Sequence, residues 1–388
     1  MREWARAYAT LALRIDRHVA ASGSGLIYNG PDELRVEVAA ADPVPLSRLV
    51  ADCDALRHQI PIDGRRGAYL TAQLTAMSAL ARQLDGADMP FAEYARQCLG
   101  ITVGLEPEET FEAAHEQLDA ALPSGPGSLA DRLHAWQAAH SIPAARLEPF
   151  AKAAIAESIE RTRALVELPE ELDIEVRPDP GPHRGHYAGG NRGTIYLLDS
   201  QPFNLADLLY VVAHEGFPGH ITESLSKARH LDGQPEYWVR FMISPQFVIS
   251  EGIGLHAPAI AFPDDEGQRW ITDNALAPLG ITSDGSDFAA IHAARNVLWG
   301  VWANATILAA AGRTEPELSD YLTRWALLTD AENDWALAFV RATGMDTYVH
   351  GYFHGYRLLR TWLNHPDRTA RFRTLLTEPV LPSHLQMA

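Results

Sequence analysis

The chain has 388 residues, 47% hydrophobic and 21% charged, which is the balance of a globular protein with one large core or two smaller ones. Its formal net charge of -18 argues against a general binder of nucleic acid or anionic membrane, since both need basic surface. Cys53 and Cys98 stand in no metal-like spacing, so a reducing compartment is expected and a disulfide framework is not.

The first twenty residues predict an amphipathic helix with Leu11, Leu13 and Ile15 among its apolar positions. They do not read as a signal peptide, because the apolar stretch runs straight into Arg14, Asp16 and Arg17, and a cytoplasmic address is expected. Ala- and Leu-rich spacing predicts a helix over 65–86, closed by Gly86. Further helices are predicted over 106–122, over 128–140 with Ser128 as N-cap, and over 147–168. Between about 172 and 199 the period changes. The stretches LDIEVRP and GTIYLLD read as short strands, separated by the Gly/His/Arg-rich DPGPHRGHYAGGNR. Helices then resume from Leu205 to the C-terminus. The apolar run over 296–312, interrupted by Asn304, reads as a buried helix and not a membrane span. The fold class expected is mainly α, with one small β-sheet before the segment HEGFPGH. Residues 1–168 form an N-terminal helical region and 169–388 a second region, unless the two make one continuous fold.

In VVAHEGFPGHITESL (211–225), His214 and His220 are six residues apart. The zinc-protease signature His-Glu-x-x-His sets its histidines four apart, on one helical face. Leu205, Leu208, Leu209 and Val212 follow the spacing of an apolar stripe, which turns His214 to the far side with Asp207 and Tyr210 on or near it. Asp207 is then placed either to accept the second ring N–H of His214 or simply to meet solvent. The helix must fail at Pro218, which lacks an N–H and whose ring opposes the carbonyl of His214. Unbroken, it would carry His220 about 240° around from His214. A Pro-Gly break lets the chain fold back and bring both imidazoles to one point. The same residues also read as a helix end with two incidental histidines, and a third ligand separates the two readings. Glu251, in ISPQFVISEGIGLHAPAI, sits among apolar residues where a carboxylate is disfavoured unless paired or metal-bound. Two histidines and a glutamate leave a fourth zinc position for water.

HEGFPGH followed by SEGIGLHA resembles the pattern His-Glu-x-x-Pro-Gly-His, then Glu-Gly-x-x-Leu, of the bacterial domain of unknown function 885. That family is grouped with the helical zinc metallopeptidases of the gluzincin type. The resemblance spans roughly the second half of the chain, from near Tyr187. It implies a helical metallopeptidase-like architecture, zinc held by His214, His220 and Glu251, and Glu215 as general base. EGIGLHA departs from the family form in lacking the bulky aromatic residue common after Glu-Gly, which would reshape the substrate pocket.

Tyr348, Tyr352, Tyr356, His350, His354 and Arg357 crowd the segment YVHGYFHGYRLLR. In related peptidases a late Tyr or His donates a hydrogen bond to the oxyanion, which makes Tyr352 and then His354 the catalytic candidates. By the same analogy Gly193 to Tyr196 would supply an edge strand for substrate. Arg295, on an apolar helix with His292, needs an anionic partner, and a structural carboxylate is expected. Glu223 is either an outer partner of His220 or a solvated side chain. A di-iron carboxylate bundle finds only Glu112-x-x-His115, and no Gly-x-Ser-x-Gly nucleophile elbow occurs. The expected function is a zinc-dependent hydrolase of peptide or peptide-like amide bonds, with Zn2+ as cofactor and water activated by Glu215. A metal enzyme of the same fold acting on a non-peptide small molecule is the alternative, and a non-catalytic binding protein stands behind both.

Overall fold

The computed structural model describes residues 2–19, 25–342 and 346–386, and its helices follow the apolar spacing of the sequence. Helices Arg2–Val19, Gly64–Leu84, Glu108–Ala121, Leu129–Ala139 and Glu148–Leu165 form where periodicity places them. Ser128 opens its helix by accepting from the Asp131 backbone N–H, while the Asp131 side chain bonds back to the Ser128 N–H. The run around Asn304 lies in helix Phe288–Ala310 and is largely buried. Asn304 is tolerated there because its side chain accepts from the Glu106 N–H and donates to the Glu106 carbonyl and to Tyr321 Oη. Among the described residues no helix is long and apolar enough to cross a membrane.

The region read as two or more short strands around a loop holds three. Asp173–Asp179 pairs in parallel with Arg192–Leu198, which pairs on its other side, antiparallel, with Arg184–Gly189. The Gly/His/Arg-rich stretch therefore supplies an edge strand of the sheet. Gly193 to Tyr196 lies in the central strand, with neighbours on both sides, and cannot take up an added chain. That corrects the expected substrate strand.

The division near residue 169 does not separate the packing. Strand Leu26–Tyr28 pairs with Val239–Phe241, and the core around Tyr8, Leu70 and Leu99 also contains Phe241, Val248 and Leu381. A second core joins Trp136 and Ile155 to Leu208, Phe262 and Ile291, and a third joins Phe111 to Val301 and Val349.

Four helices enclose the candidate site: Leu208–Glu215, His220–His230, Pro245–Ala261 and Val349–Leu363. Leu205, Leu208, Leu209 and Val212 are 0–3% exposed, so the stripe read from sequence anchors the first of them, each side chain contributing roughly 1.5–3 kcal/mol of apolar burial. The last two helices cross at Gly252 and Gly355. A Cβ on Gly252 would stand 2.7 Å from the Gly355 carbonyl oxygen, and one on Gly355 would overlap the Val248 carbonyl oxygen. Only glycines allow that approach, and it lays the tyrosines of one helix over Glu251 of the other.

Candidate metal centre

Helix Leu208–Glu215 ends at Gly216, and a new helix begins at His220. Between them Phe217–Pro218 is a cis peptide. The backbone bonds across the break run from Gly219 N–H to the Ala213 carbonyl (2.9 Å) and from Thr222 N–H to the Gly216 carbonyl (3.1 Å). Each spans six residues where a helix spans four. Two residues are thus looped out, and the six-residue spacing of His214 and His220 does the work of four. A Cβ on Gly219 would overlap the His214 carbonyl oxygen, so this path needs glycine. The two imidazoles meet edge to face, centroids 4.7 Å apart at 88°.

Glu251 completes the group from the opposite helix and is 1% exposed. Its Oε2 lies 3.4 Å from His214 Nε2 and its Oε1 3.7 Å from His220 Nε2. Ligands about 2.0–2.1 Å from a tetrahedral zinc stand about 3.3 Å apart, so this spacing fits a shared ion. Glu251 Oε2 has no hydrogen-bond partner, a buried acceptor left facing two imidazoles. Gly254 makes room, since a Cβ there would sit 2.6–2.7 Å from three atoms of the His214 ring. Burial alone would raise the Glu251 carboxyl, but His220 and His214 outweigh it and hold it below the usual carboxylate range. Burial likewise disfavours a charged His220, yet Glu251 outweighs that and lifts the imidazole to about 9. The donor set, spacing and orphaned oxygen all fit a divalent cation held by His214, His220 and Glu251.

Glu215 follows His214 and turns to the same space. Ligand atoms of His214, Glu215 and His220 lie within 4.8 Å of one another. The Gly185 N–H, on the outer edge of strand Arg184–Gly189, donates to Glu215 Oε2 at 2.7 Å. That bond leaves Oε1, 4.0 Å from His214 Nε2, facing the centre.

The tyrosine cluster divides between two faces of its helix. Tyr348 donates to Glu251 Oε1 at 2.5 Å. Tyr352 stacks on Trp299 at 4.5 Å and stands 6.4 Å from the His214 ring. Burial, then Glu251 and Glu215, raise the Tyr352 phenol well above 10, so it remains a donor. His354 is turned elsewhere. It stacks on His350 and lines a small surface pocket with Ile101, Thr102 and Arg357, so the structure removes it from the catalytic set. Two helical positions from Tyr352 amount to about 200°, which carries its ring to the opposite side. His350 is fully buried and donates from Nε2 to Thr306 Oγ1, which has given its own proton to the Ala303 carbonyl.

Asp207 does not serve His214. It accepts from His292 Nε2 at 2.8 Å and from Arg295 at 3.0 and 3.1 Å, and so is the structural carboxylate expected for Arg295. Glu223 is completely buried. Its carboxylate receives Lys227, Arg240 at 3.2 Å and the Ser250 hydroxyl at 2.5 Å. His183 accepts the Leu198 N–H on Nδ1 at 3.0 Å, and burial lowers its pKa. Sequence reasoning passed over Ser250 and Gly185 and ranked Tyr348 below Tyr352. The available signals were the adjacency of Ser250 to Glu251 and the four-residue step from Tyr348 to Tyr352.

No family model matches the sequence, and no curated protein matches it. Among solved structures, a Colwellia psychrerythraea protein described as a lipoprotein shares the fold, with a TM-score of 0.52 at 15% identity. The match covers 87% of this chain and 65% of that one, so the chain spans less than two thirds of its structural neighbour.

Proposed function

We propose that the protein is a zinc-dependent hydrolase of peptide or peptide-like amide bonds. The observation that carries this reading is the convergence of His214, His220 and Glu251, with a buried Glu251 oxygen unpartnered and Glu215 beside them. A Zn2+ held by these three side chains would polarise a carbonyl and lower the pKa of water at the site to about 7. Glu215 has the position of a general base. Its Oε2 is fixed by the Gly185 N–H, so Oε1 takes the proton as water adds to the substrate carbonyl carbon. The same oxygen returns that proton to the leaving nitrogen as the C–N bond breaks. The Tyr352 hydroxyl donates to the carbonyl oxygen as it gains charge, because the Tyr348 hydroxyl is already spent on Glu251.

An extended substrate is favoured over a compact small molecule by strand Arg184–Gly189. It is paired on one side only among the described residues, and its outer edge begins at the Gly185 N–H that touches Glu215. Outward backbone groups recur at every second residue, so Tyr187 offers the next pair to a chain lying along the edge. The motif resemblance to the family of unknown function 885 and the gluzincin peptidases agrees with this chemistry. Both cysteines are free and buried, which suits the cytoplasm as the place of reaction. Metal analysis of wild type and Glu215→Gln, with turnover on a panel of capped peptides and small amides, tests the reading. Both proteins should carry near-stoichiometric zinc, and the variant should lose about 10²–10⁴ in rate. A wild type that binds no zinc sinks it.

A further inference from the structure

Ser250 stands between His220 and Glu223. Its Oγ is 3.2 Å from His220 Nδ1 and 2.5 Å from Glu223 Oε2. A serine has one proton to give, and an ionised carboxylate can only accept. Glu223 is kept ionised in complete burial by two cations, Lys227 and Arg240, themselves 3% exposed. Burial opposes that charge, and the two cations outweigh it to bring the carboxyl to about 2. The Ser250 proton must therefore lie toward Glu223, and the Ser250 oxygen can only accept from His220. Its ring then carries a proton on Nδ1, which leaves Nε2, the nitrogen facing Glu251, as the one free to bind a metal.

We infer that Ser250 and Glu223 are positioning residues for His220: a buried relay from Nδ1–H through the Ser250 hydroxyl to the Glu223 carboxylate that fixes the tautomer and ring plane of the second histidine. The place of His220 in the chain gives such a device a use. It opens a helix after a looped-out segment, so only the start of a helix, and no preceding turn, holds its ring. The relay comes from residues adjoining the centre: Ser250 precedes Glu251, and Glu223 is one turn beyond His220. One hydroxyl thus ties the helix of His220 to the helix of Glu251. The inference rests on the metal reading above.

The test is zinc affinity, measured by chelator competition on the full chain, for wild type, Ser250→Ala, Ser250→Thr, Glu223→Gln and the double variant Ser250→Ala/Glu223→Gln. Removal of an outer partner of a ligating histidine weakens metal binding about 10–100-fold. Ser250→Ala should show that loss with zinc stoichiometry unchanged, and Ser250→Thr, which keeps the hydroxyl, should restore most of it. The double variant should lose no more than the worse single one, because both break the same chain. If Glu223→Gln, which leaves Lys227 and Arg240 short of charge, does not fold, the Ala/Thr pair decides alone. In zinc-loaded wild type, 15N shifts should show His220 protonated at Nδ1, and Nδ1 as the metal-bound nitrogen would overturn the relay. Wild-type binding with Ser250→Ala within twofold of it would overturn the relay and spare the metal site. No zinc in wild type would remove both.

Discussion

Two carboxylates, Glu251 buried and Asp207 half-buried, face histidines on neighbouring elements of this protein, and they are satisfied in opposite ways. Asp207, at the head of helix Leu208–Glu215, gives its oxygens to His292 and to the permanent cation Arg295. Burial disfavours its charge, and Arg295 followed by His292 still drives the carboxyl well below its ordinary range. That group is electrically closed. Glu251 meets two imidazoles, a tyrosine hydroxyl and, among the described residues, no permanent cation, and one of its oxygens is unpartnered. The same residue types make a structural clamp where an arginine is present. Where no arginine joins them, two imidazoles face a carboxylate with one unpartnered oxygen, and the proposed metal site rests on that second arrangement alone.

The sharpest way to break this contrast is to titrate the protein with zinc. At a zinc concentration of about 1,000 times Kd, wild type should gain about 4 kcal/mol of stability against denaturant. Glu251→Gln should lose that gain entirely, measured against its own metal-free midpoint, which the loss of the contacts to His214, His220 and Tyr348 lowers. An equal gain in the variant would show that zinc acts elsewhere. Next in size is the closed group. Asp207→Asn leaves Arg295 without its anion, and the expected loss is about 2–3 kcal/mol, below the range for a fully buried pair because Arg295 keeps 35% of its side chain exposed. Its zinc stoichiometry should be unchanged. Loss of zinc with stability retained would mean that Asp207 serves His214 after all. Smaller again is the separation of the two tyrosines. Tyr348→Phe removes a donor to Glu251 and should weaken zinc binding about tenfold. Tyr352→Phe should leave affinity alone and lower kcat, and titrating both variants with zinc alongside steady-state kinetics distinguishes them.

Much of this arrangement was legible in residue order because helical period and steric punctuation are local. The stripe from Leu205 to Val212, the cap at Ser128, the failure of the helix at Pro218 and the apolar setting of Glu251 all follow from neighbours in sequence. Edge and centre of the sheet were not legible, since Arg184–Gly189 lies in a Gly/His/Arg-rich stretch that reads as a loop, and only its pairing shows that it covers one side of Arg192–Leu198. The partner of Arg295 was legible as a chemical need but not as Asp207, eighty-eight residues away. Ser250 escaped notice because a serine beside a glutamate has no meaning until His220 and Glu223 arrive from another helix.

His354 gives the smallest effect and the plainest check on which face of helix Val349–Leu363 does chemistry. At neutral pH, His354→Asn should leave zinc affinity and kcat/KM within twofold of wild type, because the ring lies with Ile101 and Thr102 and away from Glu251. Its signature is in acid. Burial, and then Arg357, lower this imidazole from 6.5 to about 4 in the fold. Between those values the unfolded chain binds a proton that the native protein refuses, so stability falls as pH drops from 6.5 toward 4. The variant should lose that part of the slope, at most about 1.4 kcal/mol per pH unit, and denaturant unfolding at pH 7.5, 6 and 5 measures it. A fall in kcat at pH 7.5 with an unchanged acid slope would return His354 to the catalytic face, and the division of this helix into a reacting side of tyrosines and a packed side of histidines would be lost.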